Sequence, residues 1–89
     1  MSMKGIDPVR ARKLATYLEG DAQREISDIS KKFLEVKEDL PNCWKSKDSI
    51  TVQNDMETVS TSLTDMSKNF VEIANWLNHY ATQAEQSNS

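Results

Sequence analysis

Cysteine, histidine, glycine and proline are all scarce in these 89 residues, and each scarcity excludes something. A single cysteine, Cys43, cannot close an internal disulfide. A single histidine, His79, leaves no zinc cluster. Two glycines (Gly5, Gly20) and two prolines (Pro8, Pro41) are too few turn residues for a β-rich domain of this size. No segment approaches the roughly 18–20 apolar residues of a membrane span. The stretch Met1 to Val9 has no apolar run that could act as a secretory signal. The expectation is a protein that stays in the cytosol or leaves it without a cleavable signal peptide.

Chemistry is equally sparse. There is no phosphate loop, HExxH, CxxC or nucleophile elbow, and the acidic residues are scattered. No pair of carboxylates shares a pocket that could separate their pKa values. We therefore expect no enzyme, no cofactor and no metal. A net charge of −3 argues against nucleic acid, which a basic stripe would serve. The polar faces are not rich in Lys or Arg, which disfavours stable membrane insertion.

What remains is helical periodicity. Asp7 can cap a first helix with Pro8 at its first position, where the missing N–H costs nothing. Apolar residues then recur at Leu14, Leu18, Ala22, Ile26, Ile29, Phe33, Val36 and Leu40, in steps of three and four. Opposite charges four residues apart, such as Arg24 and Asp28, support the outer face. Gly20 weakens the pattern by about 1 kcal/mol but is not expected to stop it; Pro41 is. The spacing predicts a helix over about 8–40, a turn over about 41–47 and a second helix over about 48–85. Ser46 or Asp48 can cap the latter.

The second helix has the cleaner signal. Val52, Met56, Val59, Leu63, Met66, Phe70, Ile73, Leu77, Tyr80 and Ala84 alternate steps of four and three without a break. A short connection forces the helices antiparallel, so the expected fold is all-α: a two-helix hairpin about 45–55 Å long. Such a hairpin buries little surface and has no disulfide or metal to support it. Apolar residues beyond a single seam, Val9, Tyr17, Leu34 and Trp76 among them, call for a second hairpin and a four-helix bundle. The expected partner interface is Leu14, Leu18, Phe70, Ile73, Trp76, Leu77 and Tyr80. Residues 8–39 carry seven basic and seven acidic groups, whereas 48–86 carry six acidic groups and one basic, Lys68.

Trp44 lies in the predicted turn, where it can fold back and seal the seam end near Leu40 and Ile50. Here the chain resembles the WXG family, the early-secreted-antigen-like substrates of type VII secretion. These are helical hairpins of about a hundred residues with a Trp-X-Gly turn and no cleavable signal. The likeness spans essentially the whole chain. The turn reads Trp44-Lys45-Ser46, with Ser in place of the family's Gly. The family's C-terminal Tyr-X-X-X-Asp/Glu export signal is met by Tyr80 but not by Ala84. Since a heterodimer of that family can use a signal on one partner alone, the resemblance implies a protein that travels with, or escorts, another substrate. Its implied partners are itself, another WXG-like protein, or the helical N-terminal domain of an LXG toxin of Gram-positive bacteria, with a secretion ATPase as a further contact. The implied location is outside the cell, with a cytoplasmic pool before export. The alternative is a polymerising hairpin such as a type III secretion needle subunit, which the polar tail from Gln83 to Ser89 disfavours.

Overall fold

The computed structural model describes residues 5–87. They form three helices: α1, Pro8–Glu19; α2, Asp21–Cys43; and α3, Lys47–Ser87. No strand occurs among the described residues. Lys4 and the last two residues of the polar tail lie outside them.

The first start signal holds. Asp7 is extended, and its Oδ1 accepts from the N–H groups of Val9 and Arg10 at 3.1 and 3.2 Å. The single helix expected over 8–40 does not form. It breaks at Gly20, whose backbone (φ −112°, ψ −87°) is not helical. A β-carbon there would stand 3.1 Å from the Thr16 carbonyl oxygen, so the tight bend uses the missing side chain. The helical intent survives on both sides, because the Gly20 N–H donates to Thr16 and its carbonyl accepts from Arg24. Arg24 turns back to an ion pair with Asp21 at the new helix start, not forward to Asp28.

Pro41 in turn fails to stop α2, which continues to Cys43. Proline removes the one N–H that would reach back four residues, but the last turn still closes through the Trp44 N–H to the Leu40 carbonyl at 3.0 Å. The connection is therefore only 44–46, shorter than the 41–47 expected. Ser46 does sit immediately before α3. Its carbonyl accepts both the N–H and the hydroxyl of the buried Ser49, at 3.2 and 2.7 Å. Asp48 lies in the first turn, where a negative charge favours the helix dipole.

α3 packs along both α1 and α2. Arg12 meets Glu85, Gln23 meets Ser67, and Lys37 meets Glu57, so residue numbers fall along α3 as they rise along the first arm. The Cα envelope measures 65 × 18 × 13 Å, longer than expected because α3 alone is 41 residues.

The seam between the arms differs from the stripe expected for α3. Its main line of buried and half-buried positions is Ser49, Gln53, Met56, Ser60, Leu63, Ser67, Phe70, Ala74, Leu77, Ala81 and Ala84, in steps of four and three, with Val52 and Asn78 half-buried beside it. Met56, Leu63, Phe70, Leu77 and Ala84 belong to both rows. The remaining seam positions of the second half are serines and alanines. On the other arm, Ala11, Ala15, Leu18, Ala22, Ile26, Ser30, Phe33, Lys37 and Leu40 turn inward. Among the described residues six of the eight buried ones are alanines, and Ala74 and Ala81 are completely enclosed (0% exposed). Small side chains let two helix backbones approach closely, and the close approach leaves no room for larger neighbours.

Candidate partner-binding face

The seam has two edges, and the cross-arm ion pairs lie on one of them. On it, each partner in contact is the residue just after a seam position. Arg12 follows Ala11, Glu19 follows Leu18, Asn78 follows Leu77 and Glu85 follows Ala84. Arg12 grips Glu85 through Nε and Nη2 at 3.2 and 2.5 Å, and its Nη2 and Nη1 reach Thr82 and Asn78 at 2.9 and 3.4 Å. The Asn78 amide then donates to Glu19 at 3.3 Å. Farther along, Lys37 pairs with Glu57, itself just after Met56. Charge and hydrogen bonds tie this edge at these places, while Leu34, Ile50 and Val71, which also follow seam positions, lie 40–57% exposed along the rest of it.

The opposite edge is formed by the residues just before alternate seam positions. They are Leu14, Ile29 and Val36 on the first arm, with Asp21 between them at the break. On α3 they are Val52, Val59, Met66, Ile73 and Tyr80. Val59, Met66, Ile73 and Tyr80 are 42–48% exposed, and Leu14, Ile29 and Val36 more than half. The row that hydrophobicity marks as core thus faces outward along the molecule. Single exposed apolar groups are ordinary; a file of them at a seven-residue repeat along one edge makes that edge the candidate docking face.

Aromatic rings crown it. Trp76 and Tyr80 stack with centroids 5.8 Å apart at 20°, and His79 sets its ring edge-on to both. His79 Nε2 lies 3.2 Å from the Gln83 amide, a surface contact with no catalytic partner. Beside Tyr80, the chain at Ile6 and the end of α3 enclose an open recess of about 360 Å³ with Gln83, Ala84 and Ser87. Ring stacking on an exposed helix face is the chemistry of an interface anchor.

No protein-family model, curated protein or solved structure matches this chain. The site must be judged on its residues. Ile73, Trp76, Tyr80 and Leu14 are displayed on the surface. Leu18, Phe70 and Leu77 are half-buried in the seam instead, where they hold α3 to the first arm. Trp44 is the C-terminal cap of α2 with 38% of its surface exposed, so it closes the turn only in part. Val59, Met66, Ile29 and Val36, which helical periodicity sets in the apolar stripes, are exposed on the same edge. No group of three potential metal-binding side chains exists among the described residues, and no helix there is long and apolar enough to cross a membrane.

The polar edge supplies a pH test. The hydrogen bond from Arg12 holds the Glu85 carboxyl below its ordinary pKa of 4.5, against the opposing effect of desolvation. A depressed carboxylate stabilises the fold above its unfolded pKa and loses that contribution as pH falls through the folded value. Thermal melts from pH 6 down to pH 3 should therefore show a fall beginning below about pH 4.5. Glu85→Gln should flatten part of it. An identical acid limb in the variant would remove the Arg12–Glu85 contact from the stability of this end.

Proposed function

We propose that this chain is a non-enzymatic interaction protein: an antiparallel helical hairpin whose apolar edge is completed by a second hairpin, giving a four-helix bundle. The observation that carries the reading is the displayed row Val59, Met66, Ile73 and Tyr80, with Trp76 beside it, opposite an edge that holds the Arg12–Glu85 and Lys37–Glu57 ion pairs. Nothing on this edge performs chemistry, and a row of anchors at helical spacing is the receptor for another helix.

The resemblance to WXG proteins gives the reading its setting. A type VII substrate, or the escort of a co-exported toxin, needs a flat helical face for its partner and a turn carrying Trp44. The absence of an acid four residues after Tyr80 favours the escort role, with the export signal on the partner.

Trp76→Glu tests the docking face. Chemical cross-linking in the source cells should trap the wild-type chain in one discrete adduct, and the variant should lose it while keeping its helical circular dichroism. An adduct undiminished by Trp76→Glu would sink the face. Secretion is tested separately by fractionating the culture. Trp44→Ala should reduce the exported fraction; normal export of that variant would take the turn out of the mechanism.

A further inference from the structure

We infer that the hairpin is built as two units of unequal stability: a closed stem, residues 8–26 with 67–87, and a turn half, residues 27–66, that opens by itself while the stem stays shut. This is a property of the single chain and holds whether or not its apolar edge docks a partner.

Burial draws the division first. Among the described residues, all seven buried apolar side chains fall between Ala11 and Ile26 or between Ala74 and Ala84. From Ser27 to Met66 the one buried residue is Ser49, and it is held by the Ser46 carbonyl of its own turn, not by the other arm. The seam of the turn half is filled largely by Ser30, Lys37, Gln53 and Ser60, with Phe33 and Met56 only half-buried among them. Helices in proteins are held chiefly by the packing of their apolar faces, and this half has little of it.

The ties between the arms divide at the same place. In the stem Arg12 holds Glu85, Thr82 and Asn78, and Asn78 holds Glu19. The Gln23 side chain closes the upper boundary: it donates to the Leu18 and Ser67 carbonyls and accepts the Ser67 hydroxyl. It thereby spans the break at Gly20 as well. Beyond it, among the described residues, the arms share one polar contact, Lys37 with Glu57. The Glu57 side chain is 59% exposed, and an ion pair so open to water contributes little. Just past Gln23 an open recess of about 500 Å³ has walls from both arms, Ser27 and Ser30 on one and Leu63 and Thr64 on the other.

Local sequence agrees. Eleven of the fifteen residues from Thr51 to Asp65 are Thr, Ser, Val, Asn or Asp, all low in helix propensity. Opening releases a loop of about 40 residues, and the entropy of closing a loop grows only slowly with its length, so an open turn half does not pull the stem apart. It bares Phe33, Leu40, Met56 and Leu63, which the closed seam half covers, while Ile73, Trp76 and Tyr80 stay on an intact stem. The device is a rod that changes shape at one end and keeps its aromatic anchors fixed at the other.

Hydrogen–deuterium exchange of the full chain, read by mass spectrometry and corrected for intrinsic rates, tests the division. The slowest amides of 30–40 and of 52–64 should agree within about three-fold, and both should exchange at least about ten-fold faster than those of 11–18 and 74–84. Ala81→Gly then weakens the stem alone. It should speed exchange of 11–18 and 74–84 at least about five-fold and leave 30–40 and 52–64 unchanged, because the stem is closed both before and after the turn half opens. If circular dichroism shows Ala81→Gly to be unfolded, Glu85→Gln makes the same comparison with a smaller loss. Acceleration of both halves by one factor would reveal a single cooperative unit and overturn the inference. One common rate across the wild-type chain would overturn it too, as would fast exchange confined to 52–64, which would mean that α3 loosens without α2.

Discussion

Ala81→Leu should lower stability by about 1–3 kcal/mol, the usual cost of forcing extra methylenes into a close-packed seam. Ala81 is wholly enclosed at the end of the molecule where Ala11, Ala15 and Ala84 are also buried. The added isobutyl group has no cavity to enter, so α3 must move away from the first arm. That movement stretches the Arg12–Glu85 contact one turn farther on. For a domain of this size the expected fall in Tm is roughly 4–8 °C for each kcal/mol. Differential scanning calorimetry at fixed protein concentration measures it. A Tm unchanged by the substitution would mean that the alanine seam is not the contact that holds the arms together.

The second large effect separates two neighbours. Phe70 and Ile73 are three residues apart on α3 and equally apolar, yet they turn to different sides of it. Phe70 is half-buried between the arms, whereas Ile73 is 48% exposed. Phe70→Glu should unfold the chain, because an unpaired carboxylate would be driven into the seam. Ile73→Glu should leave helicity and unfolding of the isolated chain almost unchanged while weakening association at least about 30-fold, the loss expected when an anchor worth 2 kcal/mol or more is replaced. Circular dichroism and sedimentation velocity on both variants decide the point. Equal unfolding by both would place Ile73 in the core; equal association of both with the wild type would dismiss the edge.

That contrast also shows what could be read from the residues alone. Helical periodicity marked both arms and the shared positions Met56, Leu63, Phe70, Leu77 and Ala84, because those residues are apolar and also face the seam. It missed the other half of the seam. Ser60, Ser67, Ala74 and Ala81 score below Val59, Met66, Ile73 and Tyr80 on hydrophobicity, yet the small row is the one that lets the helix axes come together. Hydrophobic pattern ranks what water rejects and is silent on how near two backbones can stand. The first arm repeats the lesson: Ala11 and Ala15 are buried while Leu14 beside them is displayed.

The two breakers exchanged roles for local reasons. Gly20 bends the arm where a β-carbon would stand 3.1 Å from the Thr16 carbonyl oxygen, a tighter contact than side chains usually make. The Gln23 amide then spans the bend, donating to the carbonyls of Leu18 and Ser67 at 3.1 Å each, while the Ser67 hydroxyl donates to its oxygen. Pro41 falls so near the end of α2 that only one backbone hydrogen bond is at stake. Neither outcome follows from propensity alone, since both depend on what stands opposite.

The alanine seam has one more consequence, for transit. Two helices drawn this close make a rod whose Cα atoms span only 18 by 13 Å across, the girth of one helix pair before its side chains are added. A single folded chain could thread lengthwise through a conduit just wide enough for that rod and its side chains, whereas a coupled pair would need a bore nearly twice as deep. The width of any channel this protein crosses would therefore report directly whether it goes alone or in company.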